Sequence, residues 1–152
     1  MCVGKLKEAY LLGAEREYVK RIQAYTKFQT VEVSEERNQG RPKDVSRALD
    51  AEAVRILGAC ASPVHICALV ALDGEEMSSL RFMGFVQERL AARTPTAFVI
   101  GSSFGLAPSF LNQANTKLSL SKMTLPHQLA RIVLLEQVYR ALNTINGGKY
   151  HK

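Results

Sequence analysis

LSLSKMTLPHQLARIVLLEQVYRALN, Leu118 to Asn143, begins as a buried strand and ends as a helix with apolar positions at three- and four-residue steps. Between the two lies SKMTLPH, Ser121 to His127. Pro126 suits the first turn of a helix, because its fixed φ is helical and its missing N–H is one that no helix start can bond. A strand that enters a helix through so irregular a segment has the form of one βα unit in a layered α/β protein. Two readings of the segment stand side by side. It is an ordinary helix start, with His127 merely an early helix residue, or it is a loop shaped to meet a ligand.

Working outward, the same alternation recurs. Met1-Cys2-Val3 reads as the end of a strand stopped by Gly4, and Glu8 to about Ala24 as a helix carrying Leu11, Leu12, Tyr18, Val19 and Ile22 on one face. FQTVEV, Phe28 to Val33, alternates like a strand, and SEERNQGRPKD is a polar loop holding Gly40 and Pro42. Asp44 suits the N-cap of the next helix, whose apolar face is Val45, Leu49, Val54 and Leu57. VHICALVAL is almost wholly apolar, as a strand buried on both faces of a parallel sheet must be. Ser78 and Ser79 cap a helix to about Ala92, TAFVIG is a further buried strand, Pro108 opens a short helix, and KLSLS precedes the long helix from His127 to about Asn146. Strands alternating with helices predict one α/β domain over residues 1–152, mostly parallel, with helices on both faces of the sheet.

The chain has 152 residues, 47% of them apolar and 22% charged, the balance of an ordinary globular protein. No apolar run approaches the roughly 18 residues of a membrane span. MCVGKLKEAY holds no apolar stretch long enough for a secretion signal, so a cytoplasmic location without membrane attachment is expected. Cys2, Cys60 and Cys67 lack metal-ligand spacing; Cys60 and Cys67 read as small buried hydrophobes, and no metal is expected. The formal charge of +6 and pI near 9.4 suit a polyanionic partner, through counterion release at a phosphate backbone.

In a parallel sheet, ligands bind beyond the carboxyl ends of the strands. Three such ends carry unusual sequence: Leu72-Asp73 after VHICALVAL, GSSFG from Gly101 to Gly105, and SKMTLPH. GSSFG is neither a dinucleotide fingerprint nor a P-loop, and serves equally as a plain turn or a binding loop. His65 reads as a satisfied strand histidine, whereas His127 and His151 can titrate usefully near neutral pH.

These same segments carry a family likeness. VGKLKEAY (Val3–Tyr10), the Leu72-Asp73 ending, FVIGSSFGL (Phe98–Leu106), the quoted stretch and the terminal YHK (Tyr150–Lys152) closely resemble the bacterial ribosomal RNA large-subunit pseudouridine methyltransferases of the SPOUT, or α/β-knot, superfamily. The resemblance covers essentially the whole chain. It implies a trefoil knot in the carboxy-terminal part, an exception to the rule that connections do not thread. It implies S-adenosylmethionine as cofactor, bound by Leu72, Gly101 and the run Leu120, Ser121, Lys122, Met123, Thr124 and Leu125. It further implies methylation of N3 of a pseudouridine in a large-subunit rRNA stem-loop, on the ribosome, by a homodimer whose sites are completed by the partner. The substrate-positioning candidates on this basis are His127, Arg131, Glu136, Tyr150, His151 and Lys152. Arg131 and Arg140 are offered to phosphate or to the subunit interface, and Glu136 equally to an ion pair with Arg140 four residues on. On the last helix, Ile132, Leu135, Tyr139 and Leu142 form a face for either the partner or the chain's own sheet.

Three departures from the family pattern stand out. Ser102 replaces a usual glycine, which is strained if φ there is positive. The segment after Leu72-Asp73 is shorter than usual. Only Met1 to Val3 precede Gly4, where relatives carry several more apolar residues, as in a trimmed edge strand or a misplaced start. A nucleotide-binding oxidoreductase or kinase lacks its phosphate-cradling glycines here. A ribosome-binding protein that keeps the fold without catalysis is the alternative that remains.

Overall fold

The computed structural model describes residues 1–60 and 62–150. Six strands, β1 (Cys2–Val3), β2 (Glu32–Val33), β3 (His65–Leu69), β4 (Glu75–Glu76), β5 (Thr96–Ile100) and β6 (Thr116–Ser119), form one sheet in the order β2-β1-β5-β3-β6-β4. Every pairing is parallel. Five helices, α1 (Ala9–Gln23), α2 (Pro42–Ala59), α3 (Ser79–Ala91), α4 (Pro108–Leu111) and α5 (His127–Ile145), cover it on both sides. Among the described residues no helix is long and apolar enough to cross a membrane.

Side-chain alternation along the strands divides the interior in two. Cys67, Phe98, Ile100 and Leu118 face α1, α3 and α5, packing with Ile22, Phe82, Val86, Leu134, Leu135, Val138 and Leu142. Val3, Ile66, Ala68 and Val99 face α2 and α4, packing with Ala53, Ile56 and Phe110. The apolar face of α5 is thereby decided: Leu135 and Leu142 are buried in the chain's own core, and Ile132 and Tyr139 pack against it. Burial pushes the Cys67 thiol up to about 12, so it is an inert hydrophobe. Cys60 is only half-buried, at the end of α2. His65 is satisfied: Arg89 stands 3.1 Å from its Nδ1 and Thr116 Oγ1 lies 3.0 Å from its Nε2.

Several expected boundaries move. The helix begins at Pro42 with Arg41 as N-cap, leaving Asp44 in the first turn, because proline is the better first residue. Ser78 does cap α3, accepting from the Arg81 N–H at 3.2 Å. The short strand β4 escapes the sequence pattern because two exposed glutamates have no strand preference of their own. Residues 147–148 are held in place. Gly147 sits at φ +80°, Gly148 donates to the Asn143 carbonyl at 2.8 Å, and the Asn143 side chain occupies the space a Cβ at Gly148 would need. The helix stop is a fixed turn that folds Tyr150 back onto α5.

The strand expected over 28–33 shrinks to Glu32–Val33, and the reason lies in β1. β1 is interior, between β2 and β5, not the edge strand expected. It meets β5 only at Ile100, with the Met1 ammonium donating to the Phe98 carbonyl at 2.7 Å. Val31 accepts from the Cys2 N–H at 2.9 Å, while residues 28–30 pair with no strand among the described residues and are separated from β5 by open space. A cavity of about 750 Å³ occupies that space, lined by Phe28, Val31, Phe98, Leu134, Val138 and Leu142 among others. Thr96 Oγ1, a buried hydroxyl with no partner, stands in its wall.

Five alternating apolar residues fused ahead of Met1 are therefore expected to run parallel to β5 and bury two or three side chains, each worth about 1.5–3 kcal/mol. The melting temperature should rise by roughly 6–36 °C at about 2–4 °C per kcal/mol, while a Gly-Ser extension of equal length leaves it unchanged. Equal melting temperatures for the two fusions would show that the cavity is not a strand lane.

Candidate functional site

Parallel pairing sends every strand's carboxyl end to one edge of the sheet. β5, β3 and β6 are consecutive neighbours there, so their exit loops stand side by side at the roughly 4.8 Å spacing of a sheet. The three segments singled out in the sequence are thereby brought together: Leu72 after β3, Gly101 after β5, and Leu120 to Leu125 after β6. Each loop presents one large apolar side chain to solvent, Leu72 at 75%, Phe104 at 50% and Met123 at 74% exposure. Three such side chains on adjacent loops leave apolar surface exposed at the carboxyl edge of the sheet. Phe104 was not among the sequence candidates. Its signal was an aromatic residue held between the two glycines of GSSFG.

The loops are built for main-chain contact. A Cβ on Gly101 would lie 2.0 Å from the Gly105 carbonyl oxygen, so only glycine lets the turn close. Gly105 holds φ +87° and donates to the Ser102 carbonyl at 2.9 Å. Gly74 approaches β6 as closely, a Cβ there meeting the Ser119 N–H nitrogen at 2.6 Å. After β6, Ser119 Oγ donates to the Ser121 carbonyl at 3.0 Å, and Ser121 Oγ accepts from the Met123 N–H at 3.0 Å. The N–H groups of Lys122, Thr124 and Leu125 have no partner among the described residues. They face water or a ligand.

Ser102 is not strained, because its φ is not positive. Its hydroxyl donates to Glu52 Oε2 at 3.1 Å, and Glu52, 3% exposed, accepts from the Glu36 N–H at 3.0 Å with its other oxygen. The serine thus ties the β5 loop to α2 and to the loop after β2, a connection that glycine cannot make.

The positioning candidates separate. His127 is the half-buried first residue of α5, directly behind the β6 loop. Arg131 is 4% exposed, and its Nε donates to Glu15 at 2.7 Å while Nη1 donates to Glu32 at 2.9 Å and Nη2 also reaches Glu15. A guanidinium locked between α1 and β2 does not reach an RNA phosphate, so Arg131 holds elements together. Glu136 pairs with Arg140 at 2.7 Å, the ion pair that their spacing allowed. Tyr150 lies on α5, its ring 4.9 Å from that of Tyr139 and its N–H donating to Asn143 at 3.2 Å, with Arg140 over its face. Burial, then a hydrogen bond with Tyr18, pushes its hydroxyl above the ordinary tyrosine range. His151 and Lys152 lie outside the described residues. Among the described residues, no group of three His, Cys, Asp or Glu side chains stands together as metal ligands.

Residues 1–151 match the family described as "Predicted SPOUT methyltransferase". The chain belongs to the SPOUT methyltransferase family. Relatives in Bacillus cereus, Bacillus thuringiensis and Bacillus anthracis are each named Ribosomal RNA large subunit methyltransferase H. Each is 43% identical over 157 aligned residues, covering 99% of this chain and 96% of the relative. SPOUT membership implies the trefoil knot, and the path fits it: the chain leaves β6, two places from β5, and returns as α5 between α1 and α3. It also implies a methyl donor. The residues fit one, with apolar walls at Leu72, Phe104 and Met123 and free amides on the β6 loop.

Two substitutions test this description. Arg131→Ala leaves Glu15 buried without its partner and should destabilise the fold by about 3–5 kcal/mol in urea titration, most of it recovered when Glu15→Gln is added to an Arg131→Met background. Gly101→Ala should displace the GSSFG turn and weaken methyl-donor affinity, whereas Ser102→Ala should cost about 1–2 kcal/mol of stability. A Gly101→Ala protein with unchanged affinity would remove this loop from the site.

Proposed function

We propose that this protein transfers the methyl group of S-adenosylmethionine to N3 of a pseudouridine in a stem-loop of large-subunit ribosomal RNA, as a cytoplasmic homodimer working on the assembled ribosome. The observation that carries the reading is the set of adjacent exit loops of β3, β5 and β6, each offering an exposed apolar side chain, in a chain whose relatives are named for methylation of this RNA.

Leu72, Phe104 and Met123 would enclose the adenine, and the free N–H groups of Lys122, Thr124 and Leu125 would read its polar edge and the methionine part. Bound there, the cofactor supplies a sulfonium methyl, an electrophile that needs no further activation. The chain's task is then placement of N3 in line with the methyl carbon, exclusion of water, and removal of the N3 proton. As the N–C bond forms, the electron pair of the broken C–S bond stays on sulfur. His127, the first residue of α5 directly behind the loop, would stand on the substrate side for contact with the base.

The homodimer draws support from the tail. Tyr150 packs on Tyr139, about 18 Å along α5 from His127 at 1.5 Å per residue. Tyr150 held there stands well along α5 from the β6 loop of its own chain, and the terminal Tyr150, His151 and Lys152 would complete the site of a second copy.

Calorimetry should give a micromolar affinity for S-adenosylmethionine, an order of magnitude ordinary for a ligand of this size. Deleting Tyr150 to Lys152 should abolish methylation of large-subunit rRNA while leaving that affinity near normal. Mixing this deletion with Gly101→Ala should restore activity, since one hybrid site then has both an intact loop and an intact tail. No recovery on mixing would remove the tail's action across the dimer. Absence of cofactor binding, with or without ribosomes, would leave the non-catalytic RNA-binding reading.

A further inference from the structure

The carboxyl edge of the sheet carries more than the cofactor loops. β1 and β2 end on the same edge, one and two strands beyond β5, so the loop after β2 begins about 10 Å sideways from the β5 loop. After β1 come Lys5 and Lys7, both exposed, and after β2 come Arg37, Arg41, Lys43 and Arg47, also exposed. None of the six lies within ion-pair distance of a carboxylate among the described residues. Arg37, Arg41 and Arg47 share a concavity of about 400 Å³ with Asn38, Gln39 and Asp44.

The base of this loop is fixed. Arg55 donates to the Ser34 carbonyl at 3.0 Å and pairs with Glu36, removing that carboxylate from the local balance. Glu52 then joins the Glu36 N–H to Ser102 in the β5 loop. Glu8, Glu35 and Asp44 lie in the same stretches and still leave a cationic excess. The opposite end of the edge differs: β4 consists of two exposed glutamates, and Arg81 there is paired with Glu75. The edge is electrostatically uneven, with a cationic excess on the β2 side and none on the β4 side, and the proposed cofactor loops between.

We infer that the strip of Lys5, Lys7, Arg37, Arg41, Lys43 and Arg47 is the track on which the phosphate backbone flanking the target nucleotide lies, so that the RNA approaches the cofactor loops from the β2 side. This rests on the proposed function and adds to it the surface and orientation of the substrate. An exposed row of unpaired cations has little reason to be held rigidly to a ligand loop for stability alone. Released counterions are what such a row offers a polyanion.

The test uses the full-length triple variant Arg37→Gln/Arg41→Gln/Arg47→Gln, with Lys27→Gln/Arg93→Gln at the far edge of the sheet as control. Binding to large ribosomal subunits is measured against salt concentration, and S-adenosylmethionine affinity by calorimetry. The log-affinity against log-salt slope should become shallower by about 2 in the triple variant, from roughly 0.7–0.9 for each phosphate no longer neutralised. KM for subunits should rise at least tenfold with kcat and cofactor affinity unchanged, and the control should match wild type. Replacing the same three arginines by lysine should restore the slope, since the charge is what acts. An unchanged slope in a triple variant that melts like wild type, or an equal loss in the control, overturns the track while leaving methylation intact. A wild type that neither binds the cofactor nor methylates overturns the proposed function, and the slope comparison still decides the track.

Discussion

All six strands run parallel, and the site depends on that constraint. A parallel ladder gives every strand the same direction, so every exit loop lands on one edge whatever its distance along the chain. With β5, β3 and β6 as neighbours, loops that begin near residues 70, 101 and 120 meet within a few strand spacings. An antiparallel β6 would put the SKMTLP segment at the other edge, beside the cavity ahead of β1, and no cleft would form.

Two buried charged groups hold that edge in shape. Arg131 binds Glu15 of α1 and Glu32 of β2 from within α5, and Glu32 also accepts from the Leu6 N–H at 3.4 Å. Glu52 binds the loops after β2 and β5 from within α2. Buried ionic groups are weak sources of net stability, because desolvation offsets much of the attraction. Their consequence here is directional: a carboxylate with two donors from separate loops specifies where those loops stand. The cofactor loops can then leave main-chain groups unbonded without losing their form.

Much of the fold was legible because local chemistry and tertiary role agree. VHICALVAL and TAFVIG are apolar throughout, since both faces of a central parallel strand are covered. Pro108 and Pro126 stand before helices for the same steric reason wherever they occur. The disagreements have equally physical causes. FQTVEV has the alternation of a strand, but residues 28–30 pair with no strand among the described residues. Glu75-Glu76 has no strand preference and pairs only because β6 offers an edge. Gly147-Gly148 looks like a hinge in isolation and is a locked turn once Asn143 packs against it.

By itself the sequence determined the α/β class, the three unusual strand ends on which the proposed function rests, and through its likeness the family. Those follow from residue periodicity, turn chemistry and long specific motifs, all of which are local in the chain. Only the tertiary structure decided that Arg131 is engaged inside the subunit, that Ser102 is a link and not a strain, that Phe104 is exposed on a loop beside those of Leu72 and Met123, and that Tyr150 folds back on α5. Each of these depends on which distant residue fills the neighbouring space. Periodicity along one segment carries no record of that neighbour.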